Sequence, residues 1–235
     1  MTQYVGVLFA DLHGFTARFD GADPQEASVL LRQFYRCAED TLFPDAVIDK
    51  LIGDEVMALY LPDLKPGMSQ HEVPALMLNH ALKLLRSVGY GSGSPPFTEM
   101  RVGIDVGEAF VGNIGQRALY DFTAVGDVVN TASRLQGQAS PGEVALSERV
   151  AEGVAGAVGN RVERQLQGKR EPQTAYRLAS AADSRSPLPE HDCVNRRRAC
   201  GSPGIRTVIQ VGERVVIRSA SRSMGRSSRR AVRSA

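Results

Sequence analysis

The chain contains no tryptophan and only three cysteines in 235 residues, Cys37, Cys193 and Cys200. Three scattered thiols make neither a disulfide framework nor a tetrahedral zinc pattern, so a reducing, cytoplasmic setting is expected. No apolar run approaches the roughly 18–20 residues that a bilayer span requires. The first residues, MTQYVGVLFADLHG, have no basic region and meet a charge at Asp11, so a secretory signal is not expected. Lysine is missing after residue 180, although that stretch is the most basic of the chain. Residues 181–235 hold twelve Arg against four acids, a net +8, so the first 180 residues carry −6 of the overall +2. An acidic domain over 1–180 followed by a basic tail over 181–235 is expected. The tail is rich in Ser, Arg, Pro and Gly and is predicted to be largely disordered. Its charge permits weak contact with anionic membrane or nucleic acid, and nothing in it specifies a nucleic-acid sequence.

The first 180 residues alternate between strand-like and helix-like patterns. Tyr4–Ala10 is a short apolar run that predicts a buried strand ending at Asp11. A carboxylate there, followed by Leu12-His13-Gly14-Phe15-Thr16, is a common place for chemistry in layered α and β folds. The same Asp11 would serve equally as a helix cap. Asp23-Pro24 announces a helix over 24–42, with Ala27, Leu30, Leu31, Phe34 and Cys37-Ala38 at helical spacing. Val47–Tyr60, VIDKLIGDEVMALY, folds about Gly53-Asp54 as a hairpin, and its apolar arms predict two central, buried strands. Lys50, Asp54 and Glu55 sit in it, and by themselves they read as a solvated turn with a surface ion pair.

A Pro/Gly loop over 62–70 leads to a helix over 73–88. Strands are expected over 100–106 and 109–114, joined about Gly107-Glu108, and again over 120–125. Gly126-Asp127 starts a helix ending near Gly137, which places Asn130 and Arg134, four residues apart, on one face. A strand over 143–146, a helix over 147–155 and a closing hairpin of 161–167 with 174–178 complete the order. Strands in mixed connectivity with helices packed on the sheet predict an α+β, ferredoxin-like fold.

Four stretches share one pattern: LFADLHGFT (8–16), DKLIGDEVMALY (49–60), MRVGIDVGEAFVGNIG (100–115) and FTAVGDVVNTASRLQGQASPGE (122–143). Together, in this order and spacing, they resemble the class III nucleotidyl cyclase catalytic domain, and LQGKREPQTAYRL is similar to that family's closing strands. The resemblance implies that Asp11 and Asp54 bind metal, two Mg²⁺ or Mn²⁺ ions per site, hard cations suited to carboxylate oxygen. It implies that backbone groups from Leu12, His13, Gly14, Phe15 and Thr16 cradle phosphates. Lys50 stands at the adenine-reading lysine position, where guanylyl members usually carry an acid. Thr123 stands at the second base-reading position, occupied by Asp in many adenylyl cyclases and by Thr or Ser in a bacterial subgroup. Asn130 matches the ribose-orienting asparagine, and Arg134 the arginine facing the transition-state phosphorus.

The closing hairpin departs from the pattern. Gln167-Gly168 replaces the usual Lys-Gly, so Lys169 is the candidate phosphate contact there, with Arg101 a second candidate elsewhere. In this family the metal aspartates of one subunit work with the base-reading, Asn and Arg residues of its partner. Because this chain holds both sets, a homodimer with two equivalent sites is expected, acting on ATP as an adenylate cyclase. Two rivals follow from the same residues: guanylate cyclase activity, opposed by Lys50, and a non-catalytic nucleotide-binding regulatory dimer, favoured only by Gln167. The residues do not indicate a regulatory input such as bicarbonate or a partner protein, and Glu55 has no assigned role.

Overall fold

The computed structural model describes residues 1–115, 121–154, 159–164, 166 and 172–179. All belong to the compact unit Met1–Leu188. Gln167, Gly168, Lys169, Tyr120, the end of the 147–155 helix and the basic tail lie outside the described residues.

The strands are β1 (Thr2–Leu12), β2 (Val47–Ile52), β3 (Glu55–Tyr60), β4 (Met100–Asn113), β5 (Phe122–Val125), β6 (Glu143–Ser147), β7 (Asn160–Arg164) and β8 (Gln173–Ala179). The helices are α1 (Phe15–Arg18), α2 (Pro24–Leu42), α3 (Val73–Ser87), α4 (Asp127–Gln138) and α5 (Glu148–Glu152). The strands form one mixed sheet in the order β2-β3-β1-β4-β6-β8-β7, with β5 paired to β4. Among the described residues only β4 and β6 run parallel; the other pairs are antiparallel.

Both faces of the central sheet are covered, which is why β1 reads as an unbroken apolar run rather than an alternation. Leu8, Ala10 and Leu12 point to a core shared with α2, α3 and α5. Val5, Val7 and Phe9 point the other way, to Val128 and Ala132 of α4. Helix α2 has the predicted bounds. Asp23 caps it by accepting from the Gln25 N–H at 2.9 Å, Pro24 occupies its first turn, and Leu30, Phe34, Ala38 and Leu42 form its buried stripe.

Two expectations need correction. The 47–60 hairpin is half central: β3 is buried, but β2 is the sheet edge and none of its residues is fully buried. β3 has a neighbour on either side, whereas β2 pairs with β3 alone, and its charged Asp49 and Lys50 suit an edge. The two strands predicted over 100–114 are one, because Gly107 and Glu108 stay in register with Val5 and Tyr4.

Candidate functional site

Chemistry-bearing residues gather in two clusters. The first lies where β1 ends. Asp11 is flanked in register by Glu55 of β3 and Arg101 of β4, so the three side chains share one face of the sheet. The Leu12 N–H donates to the Asp54 carbonyl at 3.1 Å, tying this strand end to the β2–β3 turn. Gly53, at φ 61°, makes that turn possible, and the Tyr35 hydroxyl of α2 donates to its carbonyl oxygen. The Asp11 Oδ2 accepts from Arg101 Nε and Nη2, each at 2.9 Å, and from Gln136 Nε2 at 3.0 Å. Arg101 also donates to the Gly137 carbonyl at 3.1 Å, so α4 is bound to the carboxylate end of β1 through two side chains.

The carboxylates crowd one another. Burial, followed by the charge of Asp11, holds Asp54 above the ordinary aspartate range, with Arg101 opposing. Glu55 is pushed up to about 6, by burial first and then by Asp11 and Asp54. Such a group of oxygens is relieved by a hard cation. Among the described residues no set of three or more His, Cys, Asp or Glu is arranged to hold a metal ion. The carboxylate oxygens of Asp11 and Asp54 are hard donors of the kind that Mg²⁺ or Mn²⁺ takes.

The stretch expected to cradle phosphate, residues 12–16, has only part of its backbone N–H set free. The His13 N–H donates to the Glu99 carbonyl at 2.9 Å, and that of Leu12 is used as above. The first bond of α1 runs from the Arg18 N–H to the Gly14 carbonyl at 2.9 Å. The N–H groups of Gly14, Phe15 and Thr16 therefore precede any bond within the helix.

The second cluster joins β2 to β5. Lys50 Nζ lies 2.8 Å from Asp121 Oδ1 and 3.5 Å from Asp49 Oδ2. Thr123 Oγ1 donates to the same Asp49 oxygen at 2.6 Å. The Asp49 side chain is 1 % exposed, against 30 % for Lys50 and 52 % for Asp121. Burial raises the Asp49 carboxyl above its usual range, opposed by the Thr123 hydroxyl and Lys50. Asn113 braces the connection from β4, its Oδ1 accepting from the N–H groups of Gly115 at 2.8 Å and Asp121 at 3.1 Å. Lys50 and Thr123, 73 positions apart in sequence, are thus brought together.

Asn130 is exposed and Arg134 half-buried on α4, and neither makes a side-chain hydrogen bond among the described residues. The first cluster shares no hydrogen bond or ion pair with the second among the described residues. Asp49, Asp121 and Gln136 escaped the sequence reading. None of the three carried a signal of its own: Asp49 sits between Ile48 and Lys50, and its contacts depend on how β2 pairs with β3.

A mixed sheet with helices on both faces and carboxylates at the end of a central strand define an α+β domain of layered architecture. Residues 1–180 match the adenylate and guanylate cyclase catalytic domain, and the chain belongs to that family. It is 33 % identical over 138 residues to adenylate cyclase 1 of Rhizobium meliloti (strain 1021), covering 57 % of this chain and 21 % of that protein. It is 31 % identical over 140 residues to an adenylate cyclase of Anabaena cylindrica, covering 58 % of this chain and 27 % of that protein. The chain thus corresponds to about a fifth to a quarter of the length of these relatives. In fold it resembles the crystal structure of the guanylyl cyclase Cya2, with a TM-score of 0.67 and 24 % identity over 79 % of this chain and 96 % of that one. Among the described residues no helix is long and apolar enough to cross a membrane.

Proposed function

We propose that residues 1–180 are an adenylate cyclase domain that converts ATP to 3′,5′-cyclic AMP and pyrophosphate at sites completed by a second copy of the chain. The observation that carries this reading is the meeting of Lys50 and Thr123 at Asp49, apart from the Asp11–Asp54 cluster. A Lys ammonium donates to adenine N1, which is an acceptor, whereas guanine N1 bears a hydrogen. Thr123 Oγ1 accepts from the adenine amino group. Lys50 is held by Asp121 in the free chain and must part from it to reach a base.

Asp11 and Asp54 would hold two divalent cations, Mg²⁺ or Mn²⁺, which when bound acidify the ribose 3′-hydroxyl and offset triphosphate charge. Asn130 orients the ribose, and Arg134 donates to the oxygens of the α-phosphorus as its charge grows. The 3′-oxygen bonds to that phosphorus, the bond to pyrophosphate breaks, and the hydroxyl proton leaves to solvent. The N–H groups of Gly14, Phe15 and Thr16, with Lys169, hold the departing phosphates, and Arg101 must part from Asp11 to join them.

Because the two clusters share no hydrogen bond or ion pair among the described residues, each site would take its carboxylates from one subunit and its base readers, Asn130 and Arg134 from the other. Exposed Phe110, Phe122 and Val125 on β4–β5, and Val47 and Ile52 on the β2 edge, supply apolar surface for that association. Ala179, the last residue of β8, and the end of the family match at residue 180 support a domain boundary there, with 181–235 a separate basic segment.

The test is turnover of ATP and of GTP with Mg²⁺ or Mn²⁺ across protein concentrations. ATP should be preferred, with specific activity rising with concentration as dimers form. Asp54→Ala should abolish turnover while dimers persist; full activity in that variant would sink the assignment. GTP as the better substrate would convert the reading to a guanylate cyclase. Metal-dependent binding of ATP with no product would leave a regulatory nucleotide-binding dimer.

A further inference from the structure

Asp49 interrupts the register between β2 and β3. Ile48 faces Ala58 and Lys50 faces Met57, so Asp49 is an extra residue without a partner, a β-bulge. In a regular strand neighbours 49 and 50 point to opposite faces. The bulge cancels that alternation, so Asp49 reaches Thr123 while Lys50 reaches Asp49 and Asp121. The outcome is a carboxylate with a 1 % exposed side chain on an edge strand, where an acid is ordinarily solvated. One of its oxygens, Oδ2, faces Thr123 Oγ1 at 2.6 Å and Lys50 Nζ at 3.5 Å.

A threonine hydroxyl has one proton and two lone pairs, so alone it greets donors and acceptors alike. We infer that Asp49 is a specificity-determining positioning residue: it accepts the hydrogen bond of the Thr123 hydroxyl and leaves Thr123 only lone pairs to offer a nucleobase. Adenine presents an amino donor at its 6-position and is accepted. Guanine presents a carbonyl oxygen there and meets a second acceptor. The pair Asp49–Thr123 then does what one carboxylate at position 123 would do directly, with the charge kept one bond network further from the base. The ion pair to Lys50 aims the second reader from the same anchor. This rests on the proposal that Lys50 and Thr123 read the base.

The experiment compares wild type, Asp49→Val, Thr123→Val and the double variant Asp49→Val/Thr123→Asp. Two quantities are read: the ratio of kcat/KM for ATP to that for GTP, and the ratio of affinities for 3′-deoxy-ATP and 3′-deoxy-GTP, which cannot cyclise. Asp49→Val frees the hydroxyl to donate, so both ratios should fall about tenfold or more, as expected when a polar site loses its fixed hydrogen-bond sense. The loss should appear in KM for ATP, with kcat held within about threefold. The double variant restores an acceptor and should recover both ratios. A role for Asp49 in folding alone predicts equal losses for the two nucleotides and no recovery, and that result overturns the inference. Ratios unchanged in Asp49→Val but altered in Thr123→Val overturn it too, with base reading by Thr123 intact. A wild-type chain that binds neither analogue overturns the proposed function, and this inference with it.

Discussion

His80 shows how burial sets a single residue's chemistry. It is 5 % exposed on α3, its Nδ1 lies 3.0 Å from the Tyr60 hydroxyl, and its Nε2 lies 3.7 Å from Asp45. Burial lowers its pKa to about 4, outweighing the opposite pull of Asp45, so at neutral pH the ring is uncharged and its contact with Asp45 is not an ion pair. Burial also raises Tyr60 well above the usual phenol range, so its hydroxyl stays protonated beside Nδ1. The folded state therefore binds the His80 proton more weakly than the unfolded chain, where the pKa is near 6.5. The sign follows: the His80 contribution to stability is complete above about pH 6.5 and is lost as the pH falls toward 4. Between pH 7.5 and 5 the loss is about 2 kcal/mol. His80→Gln, which can still accept from Tyr60, should flatten the stability profile over that interval by about this amount in urea unfolding. Parallel profiles for variant and wild type would show that the fold does not lower the His80 pKa.

At the scale of elements, α4 is positioned by a glycine facing it. A Cβ on Gly103 of β4 would lie 2.3 Å from the Ala132 carbonyl oxygen and 2.3 Å from the Gln136 nitrogen, both backbone atoms of α4. Backbone does not move aside as a side chain does, so α4 as a whole would have to shift, carrying Asn130, Arg134 and the Gln136 contact to Asp11. Gly103→Ala should cost about 1–3 kcal/mol and also lower turnover. Gly137→Ala is the control. A Cβ there meets nothing within 4 Å, so that variant should be neutral or more stable by about 0.5–1 kcal/mol. Thermal unfolding together with initial rates separates the two, and equal behaviour would sink the packing argument.

Element identity was largely legible in the sequence. Asp23-Pro24 and an i, i+4 apolar stripe announce α2 to the residue, and Gly53-Asp54 announces the hairpin turn. What stayed hidden depends on pairing. Gly107-Glu108 looks like a turn and is held straight by β1; β2 looks central because its apolar residues match those of β3, and it is the sheet order that puts it at the edge. Asp49 stayed hidden for the same reason, since a bulge is a property of two strands and leaves no period in one.

At the scale of the whole molecule, the separation of the two clusters has a consequence that mixing experiments read directly. Suppose the carboxylates come from one subunit and Arg134 from its partner. Asp54→Ala and Arg134→Ala homodimers are then both inactive, because every site carries a lesion. In a heterodimer of the two, one site collects both lesions and the other collects none. Random pairing at equal amounts makes about half the dimers mixed, each with one intact site of two, so about a quarter of wild-type activity should return on co-expression. Asp11→Ala mixed with Asp54→Ala should recover nothing, because both lesions lie in the same cluster and every site receives one. The contrast isolates the geometry from any general effect of association. A mixture of Asp54→Ala and Arg134→Ala that stays inactive, while mass measurements show heterodimers present, would place all the catalytic groups within a single chain and overturn the two-subunit site.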